Sequence, residues 1–121
     1  MYRLIIPHPP KSIGANTRAH WRKRAADVAK YRNECTRLFL DQTKGARPKW
    51  RRAAVVVVWM SKTRIHPDPV NLYQYLKGAF DALQDAEIIL NDKHLWPERP
   101  IILTRQATAA IVLYVEEEKE E

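Results

Sequence analysis

Apolar residues recur along this chain with two periods, and the switches between them mark its elements. Tyr2 to Ile6 predicts a first strand, closed by Pro7, Pro9 and Pro10. Proline lacks the N–H that a central ladder needs, so the chain must leave the sheet there. A polar loop, Lys11 to Arg18, follows. From His20 to about Gln42 the spacing becomes helical: Trp21, Ala25, Val28, Cys35, Leu38 and Phe39 form a buried stripe with Tyr31 at its edge. Ala53 to Met60, AAVVVVWM, is β-branched and bounded by charge, which predicts a central strand. Asp68-Pro69 then opens a second helix, since aspartate caps free N–H groups and proline is tolerated in a first turn. Leu72, Leu76, Ala79, Phe80 and Leu83 share one face of it; Gln74, Lys77, Asp81 and Asp85 share the other. Ile88 to Leu90 is a short extended run, Lys93 to Pro100 a loop, and Ile101–Leu103 and Ala107–Val115 are closing strands.

These elements make one α+β domain over residues 1–115, followed by an acidic tail, 116–121, expected to be disordered because it has no apolar partner. The single cysteine, Cys35, excludes an internal disulfide framework and a cysteine zinc cluster. No signal peptide is visible. The longest apolar run, Ala53 to Met60, is too short to span a bilayer, so a soluble intracellular protein is expected.

Charge sharpens the picture. The net charge of +7 divides into +13 over residues 1–64 and −6 over residues 65–121. Lys23, Lys30 and Arg37 recur every seven residues on one helical face, with Arg22 and Arg24 near its start. Lys11 and Arg18 lie in a loop whose backbone N–H groups can meet phosphates. Basic residues upstream of clustered acids suit a protein that grips a polyanion with one half and holds metal ions with the other.

The candidate chemistry lies in HPDPVNLYQYLKGAFDALQDAEIILNDKHL, His66 to Leu95. A helix of about fifteen residues travels roughly 22 Å, and five extended residues cover about 16 Å of the return. Asp92 thereby comes back most of the way towards Asp68, with Lys77 between them. Two carboxylates and a lysine at one helix end suit a magnesium-dependent phosphodiesterase. The same residues also fit plainer roles, as a helix cap and a turn. His66 reads either as a further ligand or as incidental.

Three blocks together resemble the RusA family of Holliday junction resolvases: PHPP followed by NTRAHWRKR, then HPDPVNL, then LKGAFDALQDAEIILNDKHL. The resemblance spans most of residues 2–95. It implies an α+β domain with a mixed, mostly antiparallel sheet and two main helices. It also implies a cytoplasmic, bacterial or phage-encoded homodimer that cleaves four-way DNA junctions symmetrically with magnesium. On that resemblance Asp68, Lys77 and Asp92 are the catalytic residues, and Asp68, Asp92 and Asn71 the metal site. The basic loop and helix face read above, Lys11, Arg18, Arg22, Lys23, Lys30 and Arg37, are the residues expected to hold the DNA. The chain departs from the pattern twice. Val70 stands where many members have a second aspartate, and three extra residues fall within Tyr73 to Tyr75. Either Asn71, Asp81 or Asp85 fills the vacant metal position, or the protein binds junctions without cutting them. A general nuclease for branched or flapped DNA would use the same residues.

Overall fold

The computed structural model describes residues 1–13 and 20–119. At its centre is β2 (Ala53–Met60), whose side chains alternate between buried and half-buried. β2 runs antiparallel to β5 (Ala110–Glu117), and β5 runs antiparallel to β1 (Tyr2–Ile6). Register decides which side chains meet. Val55 opposes Val115, Val57 opposes Leu113, and Leu113 in turn opposes Leu4, which places one apolar face across three strands. On its other edge β2 carries two short parallel strands in tandem. β3 (Leu95–Pro97) lies beside the start of β2 and β4 (Ile101–Leu103) beside its end. The result is the mixed five-stranded α+β arrangement expected, with the longest pairings antiparallel.

Parallel pairing of β2 with β3 requires a crossover, and helices supply it. The expected single helix after Asp68 is two: α2 (Pro69–Tyr75) and α3 (Lys77–Asp85), broken at Leu76. Leu76 is fully buried, and its N–H reaches the carbonyls of both Leu72 and Tyr73, at 3.1 and 3.2 Å. The break has a tertiary cause. The hydroxyl of Tyr73 donates to the Glu98 carbonyl, and that of Tyr75 to Pro9 and Pro10, so α2 is tied to the β3–β4 connection and the proline segment. α3 instead packs on α1 (Trp21–Gln42). Gly78 is buried at this contact, and a Cβ there would stand 3.5 Å from the Tyr31 ring, an ordinary packing distance. Apolar spacing runs unbroken through Leu76, so sequence periodicity alone hides the break.

α1 starts as expected, with His20 Nδ1 accepting from the Arg22 N–H at 3.2 Å. It ends where Gly45, at φ +76°, turns its N–H back to the Leu40 carbonyl at 2.8 Å. The buried stripe is narrower than expected. Tyr31, Cys35 and Phe39 are buried, whereas Trp21 is 67% exposed and Ala25 is also exposed, because the first turns of the helix extend past the core. Tyr31 thus sits at the centre of the stripe and not its edge, its hydroxyl donating to the Pro7 carbonyl at 2.6 Å.

Three smaller expectations change. Ile88 to Leu90 forms a single bridge to Trp50 and no strand. The segment expected as a loop after Asp92 contains a 3-10 turn (Asp92–His94) and β3. β5 continues through Glu117, paired with Ala53, so the first residues of the acidic tail belong to the sheet. No described helix is long and apolar enough to cross a membrane.

Candidate active site

Lys77 opens α3, and the crossover returns Asp92 to it. Asn91 fixes the return by capping the 3-10 turn, its Oδ1 accepting from the Lys93 N–H at 2.9 Å. The Asp92 N–H donates to Gln84 Oε1 at 3.1 Å, tying the turn back to the last turn of α3. Lys77 Nζ then lies 3.1 Å from Asp92 Oδ2 and 2.9 Å from Asp81 Oδ1, one helical turn on. From α1, Arg32 reaches the same group. Its Nε and Nη2 grip the two oxygens of Asp85 at 2.5 and 2.8 Å, and Nη1 stands 3.7 Å from Asp81 Oδ2.

The electrostatics follow from these contacts. Hydrogen bonds to Asp81 and Asp92 hold the Lys77 ammonium above the ordinary lysine range. The bond from Lys77 draws the Asp92 carboxyl below the usual carboxylate value, and Arg32 does the same to Asp85. Two cations face three carboxylates, one negative charge in excess. The group borders a cleft of about 240 Å³ lined by Tyr73, Lys77, Phe80, Asp92, Leu95 and Pro97.

Lys77 and Asp92, both expected at the site, meet. Asp68 does not join them. Its Oδ1 accepts from the Val70 N–H at 2.9 Å, which is a helix cap, and α2, roughly 10 Å long, separates it from Lys77. Asn71 is half-buried in α2, while His66 is exposed and donates from Nδ1 to the Pro67 carbonyl at 3.0 Å. Val70 is 75% exposed. Among the basic residues, Lys11 is exposed on the 3-10 turn Lys11–Ile13, and Arg18 lies outside the described residues. The Arg22 guanidinium lies 5.2 Å from the centre of the Trp21 ring, and Lys23 pairs with Asp27 at 3.2 Å. Lys30 and Arg37 are exposed and line one shallow groove with Asn33 and Glu34.

Sequence reading missed Arg32, Gln84 and Tyr73. Arg32 falls outside the heptad-spaced basic face, and its partner is 53 residues away, so no local pattern marks it. Asp81, expected as one of three candidates with Asn71 and Asp85 for the vacant metal position, is the one that shares Lys77 with Asp92.

The donor set can be tested against magnesium, which takes oxygen ligands and commonly uses one or two carboxylates plus waters. Asp81 and Asp92 already converge on one cation, the ammonium of Lys77, and the surroundings carry excess negative charge. Two carboxylates are within the number such an ion uses, and in this structure both are engaged by Lys77. Among the described residues no group of three His, Cys, Asp or Glu is arranged to hold a metal. The chain matches no protein-family model and no curated protein.

Proposed function

We propose that this protein is a RusA-like, magnesium-dependent endonuclease that cleaves branched DNA, four-way junctions above all, as a homodimer. The observation that carries the reading is the convergence of Asp81 and Asp92 on Lys77 at the rim of an open cleft. Residues from α3 and from the turn fifteen residues further on form this group, in a chain whose basic residues lie mainly upstream.

The reaction would be in-line attack of water on a phosphodiester. Asp81 and Asp92 would hold magnesium, which supplies Lewis-acid activation of the water and neutralises developing charge. Lys77, released from its carboxylates, would donate to a phosphate oxygen and stabilise charge on the phosphorane-like transition state or the leaving oxygen. Arg32 would position Asp81 and Asp85 from behind. Lys30 and Arg37 would hold the backbone of the arms without taking part in chemistry. Two copies related by a two-fold axis would supply two such sites for two symmetric nicks.

One observation favours a second reading, a junction-binding protein that does not cut. Asp68 is engaged as a cap, and exposed Val70 adds no carboxylate beside it. Incubation of the protein with a synthetic four-way junction and magnesium separates the two. Symmetric nicks that vanish in Asp92→Asn, with junction binding kept, support the nuclease. Tight binding with no nicks at any magnesium concentration supports the second reading.

A further inference from the structure

The cleft beside Lys77 has a second character that the phosphate chemistry leaves unused. Its wall is aromatic and aliphatic: Tyr73 and Phe80 stand with ring centres 6.2 Å apart, and Leu95 and Pro97 complete the lining. Lys77 and Asp92 form its polar rim. We propose that this cleft receives one unstacked nucleobase of the branched strand, next to the phosphate addressed by Lys77. The inference rests on the DNA reading above and specifies what part of the DNA the site recognises.

Size favours a single planar ring system. At about 240 Å³ the cleft is smaller than the roughly 300–1,000 Å³ of sites that enclose whole drug-sized ligands. Chemistry favours a base over an aliphatic group. A base offers a π face to Tyr73 and Phe80, and polar edges to the ammonium and the carboxylate at the rim. The wall is also held in place before any ligand arrives. The Tyr73 hydroxyl is bonded to the Glu98 carbonyl, and its ring rests beside Phe80, so little side-chain freedom is lost on binding.

Bases in a continuous duplex are stacked and show only their edges in the grooves. A base can present its face to this cleft only where stacking is interrupted, as at a branch point. The cleft would therefore favour branched over linear DNA without reading sequence.

The test uses the full chain in EDTA, so that binding is measured without cleavage. Four-way junctions carrying one abasic site at successive positions about the exchange point are titrated with wild-type protein. One position should weaken binding by about five- to 150-fold, the range for losing one base–aromatic stack. Tyr73→Leu and Phe80→Leu should bind the intact junction more weakly and lose the abasic effect at that position. The wild-type scan needs no variant to fold. A flat abasic profile with the junction still tightly bound overturns the base cleft and leaves the DNA reading standing. Failure to bind any junction removes both. If Tyr73→Leu turns a dimer into a monomer and no abasic position matters, the cleft belongs to a second copy and the proposal falls.

Discussion

Arg32 and Asp85, on α1 and at the end of α3, are joined by two hydrogen bonds of 2.5 and 2.8 Å. The fork-on-carboxylate geometry fixes the orientation of α3 on α1 and places a second positive charge behind Asp81. Both side chains keep solvent contact, 40% and 32%, so the pair is worth little in stability. Arg32→Gln should cost about 0.5–1 kcal/mol, read as a shift in urea midpoint at unchanged slope. Its effect on cleavage should exceed that on stability, because Asp81 loses a neighbour that holds it. Equal, small effects on both would reduce Arg32 to a surface contact.

Acid should unfold the protein partly through these pairs. Asp85 and Asp92 both titrate below the ordinary 3.8 in the folded state. Between the folded and unfolded values the unfolded chain binds more protons, so stability rises with pH there. Their contribution is complete above about pH 4–5 and is lost as pH falls through the depressed folded values. Lys77 has the opposite sign: its raised folded value supports the fold below the ordinary 10.5, and that support fades at higher pH. In Asp85→Asn the stability curve should flatten below pH 4; an unchanged acid limb would show that other carboxylates dominate it.

The basic face of α1 is uneven. Lys23 is paired with Asp27, whereas Lys30 and Arg37 are exposed beside one groove. Replacing Lys30 and Arg37 by Glu should weaken junction binding and lower the salt slope by roughly two. Lys23→Glu alone should do less. If the double variant binds like wild type across a salt titration, the contact lies elsewhere, with the Lys49 to Arg52 cluster next to be tested.

Substitutions around Lys77 and at the head of α2 separate two versions of the metal site. Asp81→Asn and Asp92→Asn should each reduce cleavage by more than tenfold and keep junction binding. Asp68→Asn should cost little, since Asn caps helices about as well as Asp. Val70→Asp should leave the magnesium requirement unchanged. A sharp loss in Asp68→Asn together with a gain in Val70→Asp would return the site to the head of α2. Manganese binding followed by electron paramagnetic resonance gives a second readout, because Asp81→Asn and Asp92→Asn should weaken it.

Much of the fold was written locally. The Val55 to Val58 run demands a strand, His20 and Gly45 bound a long helix, and Asp68-Pro69 starts another, because caps, turns and β-branching act over a few residues. Lys77 and Asp92 were also legible, as charged positions on either side of an apolar return. Tertiary structure decided the rest. The break at Leu76 depends on tyrosines anchored to distant carbonyls, which no apolar period records. Arg32 enters the site only because α3 packs against α1, with 53 residues of chain between Arg32 and Asp85. Asp81 joins Asp92 on one ammonium, while Asp68 stays with its own helix end, because the broken crossover turns the head of α3, and not of α2, towards the returning chain.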